Sequence, residues 1–597
     1  MSRAGQGQAG DARDDSGNGG HPAPSVRQGE LPVRERRAAA RVGGAQLLRA
    51  QPDACRDAAP RGGRGSERGD RALPGGEEAS RGGGERRTGT AGLPAPPPGS
   101  LSAGSPGAFS RADAIYGSLV GFLSGEEAGA LTHDQLETRL DVDGRELIRQ
   151  LYQDHLDLRA EKEQRAEVVI DAEALLHGAA EPGHRRRLET IFGPVGVTRL
   201  AYRAKGAENL HLADAALNLP GEVHSHGLRE LSAIEACRGS YEEAKAAISR
   251  ATGVDLGKRQ VEELAARAAV DVDDFYTQAK TSSAAEDDTL VISADGKGIV
   301  MRPGELRPAT RKAAEAATHK LKGRLTRGEK KDRKRMAELA VVYDCPPVAR
   351  SPADVIARSN DGPKPPAPAA KAKWLTASVV DDAKEVIAAA FCEATRRDPR
   401  HRRPWVALVD GNCHQIDRIK AEAKKRGVNV PIIIDWIHVV EYLWSAARCF
   451  YAEDDPAGEA FVAEKARAVL DGKAGIVAGS IRRKATALGL DAKARERADE
   501  CARYLKNKKP YLDYPKALAA GWPIATGVVE GAVRYLVRDR MDVTGARWSV
   551  TGAEAILKLR AVRSNGDWPE YYRYHLAQEH RRVHESRYAG GVIPKAA

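Results

Sequence analysis

Three carboxylates stand where the surrounding sequence would hold them still. Leu290-Val-Ile-Ser-Ala-Asp295-Gly is an apolar run that ends in an acid, and Trp405-Val-Ala-Leu-Val-Asp410-Gly-Asn repeats the design. Short apolar runs bounded by turn residues read as buried strands, which places both acids at the rim of a sheet. Carboxylate oxygens are hard donors suited to Mg2+ or Mn2+, ions that keep positions open for water and phosphate. Two such ions roughly 3.5–4 Å apart activate a nucleophile and stabilise a leaving oxygen in phosphoryl transfer. A third donor is expected farther along. Gly527-Val-Val-Glu530-Gly-Ala offers one, a glutamate between small residues on a helix that can approach the rim closely. Taken singly, each acid has a plainer reading: Asp-Gly is a common turn pair, and Glu530 alone could be a surface residue. The sequence shows no phosphate-cradling Gly-Lys-Ser/Thr loop and no nucleophile supported by a triad.

Asp435-Trp-Ile-His438 adds to the series. The acid closes the apolar run 430–434, and His438, three residues on, shares a helix face with it and with Glu441. The His-Glu-x-x-His spacing of zinc proteases is absent. The pair reads either as a helix start or as a group beside the three carboxylates.

Positive charge is expected near the acids. The stretch 307–335, read as helical or irregular, carries Lys330, Lys331, Arg333 and Lys334 directly after the first acid. Beside a phosphodiester site such a run is expected to touch phosphates rather than only water. Arg547-Trp548 reads as a phosphate contact paired with base stacking, or as core packing of the tryptophan. Tyr241 to Ala251, then Thr252-Gly-Val-Asp-Leu-Gly257, then a second helix opened by Lys258, Arg259 and Gln260, has the shape of a DNA-binding helix-turn-helix. An αα-hairpin in a bundle reads the same way.

The elements that must position these residues follow from periodicity. Strands alternate with helices over 281–455, residues 457–508 read as helices alone, and the last segment is mainly helical. This predicts an α/β core, 281–455 and 521–597, interrupted by a helical insertion at 456–520. A mainly helical DNA-binding region, 109–280, precedes it. Within that region a turn is expected at Asp141–Gly144 and a short β-hairpin at 191–202 around Gly193-Pro194. Further on, the sequence predicts a strand at Ala340–Tyr343, a Pro-rich loop at 361–368 and a helix over 381–395. Residues 1–108 are rich in Gly, Arg and Pro, lack lysine and show no apolar period. They are expected to be disordered, either as upstream GC-rich DNA translated from an early start or as an arginine-rich nucleic-acid tail.

The formal net charge of +11 over 597 residues favours a polyanionic partner, nucleic acid or an anionic membrane surface. No apolar run is long enough to span a bilayer, and no secretory apolar core opens the chain. The 7 cysteines are scattered without paired spacing, against a zinc ribbon or a disulfide framework and in keeping with a reducing cytoplasm.

The ordered series Asp295-Gly, Asp410-Gly-Asn, Asp435-Trp-Ile-His438 and Gly527-Val-Val-Glu530-Gly-Ala resembles the motifs of ISKra-type bacterial insertion-sequence transposases. So do Val537-Arg-Asp-Arg-Met541, Thr544-Gly-Ala-Arg-Trp548 and Leu559-Arg…Asn565-Gly-Asp-Trp568, together with His224-Ser-His-Gly-Leu and Gly257-Lys-Arg-Gln-Val-Glu-Glu-Leu. The spacing also resembles that of Mutator-like transposases, and the likeness covers about residues 110–590. The resemblance implies a ribonuclease-H-like catalytic core holding two Mg2+ or Mn2+ ions on Asp295, Asp410 and Glu530. It further implies binding to terminal inverted repeats and target DNA, strand cleavage and transfer, assembly as a homodimer or larger complex on DNA, and a nucleoid-associated cytoplasmic location. The competing expectations are a structure-specific endonuclease on the same core and a non-catalytic DNA-binding remnant.

Overall fold

The computed structural model describes residues 107–278, 287–316, 333–357, 365–543 and 545–595. The predicted tail lies almost wholly outside them, as do Lys330 and Lys331.

Five strands form one mixed sheet: β3 (Thr289–Val300), β4 (Lys334–Cys345), β5 (Lys371–Ser378), β6 (Trp405–Val409) and β7 (Ile432–Ile434), in the spatial order β5-β4-β3-β6-β7. β3, β4 and β5 pair antiparallel, while β6 and β7 run parallel to β3. Side chains alternate across a strand, and here both faces are covered, which is why the strands read as continuous apolar runs. Leu290, Ile292 and Ala294 face a layer made by the helices Ala383–Arg397 and Cys413–Arg426, with Val386, Phe391, Ile416 and Ile419 in the same core. Val291, Ile299, Leu339, Val406 and Leu408 face the other layer.

That second layer takes in most of the helices. The insertion supplies Pro456–Leu470, Ala474–Ala487 and Glu496–Lys508, in the predicted position between Asp410 and Glu530. The helices His226–Arg238, Tyr241–Thr252, Lys258–Ala268 and Val272–Gln278 place Leu228, Ile248, Val261, Leu264 and Tyr276 in the same apolar cluster as the sheet. Arg229, 1% exposed, is anchored to Glu579 at 2.9 Å on the last long helix, Trp568–Val583.

Several expectations are corrected. β3 does not stop at Asp295 but continues to Val300, paired with the first half of β4. Gly296 and Gly298 make this possible by lying under long β4 side chains: a Cβ at Gly296 would sit 3.0 Å from Met336 Cε, and one at Gly298 would sit 2.9 Å from Lys334 Cδ. Lys334 and Arg335 therefore open a strand rather than continue a basic helix, and Arg335 donates to Val379 O at 2.6 Å. β5 is not predicted by the sequence; its charged start, Lys371-Ala-Lys, hides the buried half from Trp374 on. No turn exists at Asp141–Gly144, which lies inside one 29-residue helix, His133–Glu161. Asp141–Arg145 and Arg139–Asp143 pairs one turn apart support that helix across its glycine. The hairpin is longer than expected, β1 (Ala179–Thr190) with β2 (Gly193–Arg203), and turns at Ile191-Phe192, just before the expected Gly193-Pro194; Gly193 opens β2 with a φ of +109° that suits glycine.

Glu554 shows how tightly the layers are joined. It sits on the helix Val550–Ser564 and accepts hydrogen bonds from Ser378 Oγ (3.1 Å), Val379 N (2.9 Å) and Val380 N (3.3 Å) at the end of β5, all on Oε2. Among the described residues its buried Oε1 has no hydrogen-bond partner. Burial pushes this carboxyl up to about 7, opposed chiefly by Lys558. The folded protein thus holds a proton that the unfolded chain releases near pH 4.3, so stability falls as pH rises from there to about 7. Glu554→Gln keeps an acceptor for the amides and removes the buried charge. It should stabilise the protein by on the order of 1–3 kcal/mol above neutral pH and flatten the pH dependence. Urea melts at about pH 5 and about pH 8 check this; an equal loss at both would contradict it.

Candidate active site

Strand register brings the predicted acids into line. β3 pairs with β6 through Ser293↔Leu408, and β6 pairs with β7 through Val409↔Ile434. Two more residues along β3 and β6 set Asp295 level with Asp410, and one more along β6 and β7 sets Asp435 level with Asp410. Period-two alternation from Val291 and Val406 turns Asp295 and Asp410 to the same face. The helix Gly527–Val533, which carries Glu530, packs its Val529, Ala532 and Val533 into the core on that face.

Electrostatics report the same grouping. Burial raises the Asp295 carboxyl above its usual range, the charges of Asp410 and Glu530 raise it further, and His438 opposes them. The hydrogen bond from Gly296 N also opposes the rise; burial is its main cause, and like charges gathered beside a buried acid add to it. His438 is held above the ordinary imidazole range, first by the neighbouring Asp435 carboxylate, then by the charges of Glu441 and Asp410. Its Nδ1 lies 3.7 Å from Asp435 Oδ2 and 3.9 Å from Glu441 Oε2.

Each of the three acids is satisfied locally. Asp295 Oδ1 accepts from Gly296 N at 2.6 Å, Asp410 Oδ1 from Asn412 N at 2.8 Å, and Glu530 Oε1 from Thr526 Oγ1 at 3.2 Å. Among the described residues no three His, Cys, Asp or Glu side chains converge closely enough to hold a metal ion. The donor chemistry nevertheless fits a hard divalent cation: oxygen ligands only, mutually repelling, with Asp295 destabilised in its charged form. Asp295, Asp410 and Glu530 would hold it, with Glu530 released from Thr526.

Asp435 has a different task. It is 0% exposed and caps the helix Trp436–Ala447 by accepting from His438 N at 3.1 Å. Its other oxygen accepts from Thr526 N at 2.8 Å, at the start of the Glu530 helix. Trp436 N donates to Ile524 O at 2.8 Å beside it. Asp435 is thus a helix start and a brace for the third acid at once.

Other sequence-derived candidates fall elsewhere. Lys258 is ion-paired with Glu242, Arg259 with Glu263 at 2.9 Å, and Gln260 Oε1 accepts from Gly257 N at 2.8 Å as a helix cap. All three are exposed on the start of the second helix of the pair. Arg333 and Arg547 line one cavity of about 380 Å³ together with Arg311. Trp548 is core, at 4% exposure: its indole donates to Met541 O at 3.1 Å, and Arg540 lies 4.7 Å from its ring centre. Core packing is therefore the reading of Trp548 that holds, and a ring buried in this way is not free to stack on bases. Two groups near the acids escape sequence reasoning. Thr526 has no motif of its own. Glu338, opposite Gly296 on β4, is raised by burial and by the charges of Asp295 and Asp382, and its place in an unrecognised half of β4 conceals it.

No protein-family model matches the chain, and no curated protein matches it.

Proposed function

We propose that the chain is a DDE-type DNA transposase with a ribonuclease-H-like core, which binds the ends of an insertion sequence and cuts and joins DNA strands with divalent metal ions. The observation that carries this reading is the alignment of Asp295 with Asp410 on adjacent parallel strands, with the Glu530 helix seated on the same face. Strand order supports the ribonuclease-H-like assignment: a central β3 with an antiparallel pair on one side and a parallel pair on the other. So does the all-helical insertion between the second acid and the glutamate.

A bound Mg2+ or Mn2+ pair would supply a metal-activated water and charge stabilisation on the leaving oxygen. The chain's own residues do the rest. Asp295 and Asp410 offer oxygen donors on a sheet that cannot easily shift. Asp435 fixes the start of the Glu530 helix. His438, whose imidazole is held above its ordinary range by its carboxylate neighbours, would contribute positive charge beside Asp410 when protonated. Exposed Lys258 and Arg259 offer phosphate contacts on the proposed end-binding helix.

Thermal melts with and without Mn2+ test the metal reading. Asp295 binds a proton in the folded state more tightly than in the unfolded state. Stability is therefore lost as pH rises from the ordinary carboxylate range through the raised value, and the penalty is complete above it. Metal-free Asp295→Asn should melt higher than the wild type at mildly alkaline pH. Mn2+ should raise the wild-type melting point, by about 2.7 kcal/mol of stability at a hundredfold excess over Kd, and leave the variant unmoved. An equal Mn2+ shift in both proteins would sink the assignment of Asp295.

A further inference from the structure

The last long helix of the insertion ends in cations that, among the described residues, no carboxylate neutralises. The helix Glu496–Lys508 closes on Lys506 and Lys508, and Lys509 opens the 3-10 turn that follows. Several other cations of the insertion are met: Lys465 by Glu464, Lys473 by Asp471, Arg495 by Asp499. Among the described residues Lys506, Lys508 and Lys509 have no ion-pair partner. A helix C-terminus favours lysines for its dipole alone, but that does not explain where Lys508 goes. Its Nζ lies 3.0 Å from Cys413 Sγ, and its Cε lies 3.7 Å from where a Cβ on Gly411 would stand. Tyr504, one turn back, donates to Asp410 O at 3.2 Å. Lys420 Nζ donates to Tyr511 OH at 2.7 Å, which pins the turn onto the helix that follows Asp410. The cluster is therefore fastened to the loop of the second acid, while Lys506 and Lys509 stay exposed.

We propose that Lys506, Lys508 and Lys509 form a phosphate-binding wall that holds the DNA backbone against the Asp410 loop. The proposal rests on the transposase reading and adds to it the part of the insertion that grips the strand at the acids. A positive surface with no counterion among the described residues, joined through Lys508 to the loop of a carboxylate proposed for phosphoryl transfer, fits a polyanion better than it fits a partner within the described fold.

Cys413 is exposed and lies against Lys508, so it reports on this surface directly. The experiment uses the full chain without divalent metal, a short DNA duplex of arbitrary sequence, and N-ethylmaleimide, with alkylation read peptide by peptide and exposed Cys392 as the internal reference. DNA should slow alkylation of Cys413 several-fold relative to Cys392. In Lys506→Gln/Lys508→Gln/Lys509→Gln that protection should vanish, and the slope of log affinity against log salt should become shallower by about 2–3, near 0.9 for each phosphate no longer neutralised. A melting curve matching the wild type shows that the variant is folded. If wild-type protein binds the duplex but Cys413 is unprotected, or if the triple variant keeps protection and slope, the wall is wrong and the transposase reading survives. If the wild type binds no DNA at all, both fall.

Discussion

Replacing Asp410 by Asn is expected to abolish metal-dependent strand cleavage, a loss of at least about a hundredfold, with fold and DNA binding retained. Metal ions in such sites supply several kcal/mol of transition-state stabilisation, and each 1.4 kcal/mol is about a factor of ten in rate. Asparagine keeps the shape and can still accept from Asn412 N, as Asp410 does at 2.8 Å, so the loop should hold. What it loses is the negative charge that would bind the cation. Asp295→Asn and Glu530→Gln should behave alike. Cleavage of a labelled duplex, with a gel-shift control, checks all three. If Glu530→Gln stayed active, another acid would have to take its place. Glu554 is disqualified by its burial at the end of β5, and Asp435 by having both oxygens on backbone amides. Exposed Asp542 would remain. If both aspartate variants cut DNA normally, the two-metal reading itself would be wrong.

Asp435→Ala should be the most damaging change away from the three acids. It would leave the buried amide of Thr526 without an acceptor, at about 1–3 kcal/mol, and remove the helix cap from the part-buried amide of His438. It would also detach the start of the Glu530 helix from the end of β7. The variant should melt lower, and well below that melting point, where it is fully folded, cleavage should still be reduced more than about tenfold, since small misplacements of a catalytic group cost this much. Affinity for DNA should be unchanged. Activity that simply followed the folded fraction would mean that Asp435 supports the fold and does not position Glu530.

The parts of this site that could be read from the sequence are those that local pattern determines. An apolar run ending in Asp-Gly marks Asp295 and Asp410 because both sheet faces are buried, and the insertion shows as a block without strand period. The parts that could not be read depend on pairing. Asp435 meets Thr526 across 91 residues, and nothing near either one announces it. β3 runs on past Asp295 because β4 side chains cover its glycines, a fact about the partner strand. β5 begins with exposed lysines and so resembles a loop. Trp548 reads equally as a stacking group or as core until the helices close over it, and Lys506 to Lys509 look like an ordinary solvated end until Lys508 is seen against Cys413.

The most direct test of the central claim is the anomalous diffraction of Mn2+ in crystals of the protein. The account requires a peak within about 2.0–2.3 Å of carboxylate oxygens of Asp295 and Asp410, a distance suited to small hard cations, with Glu530 turned away from Thr526 toward it. Manganese bound only elsewhere, for instance at Glu338 and Asp382, or no manganese at all at concentrations that support DNA cleavage, would contradict it.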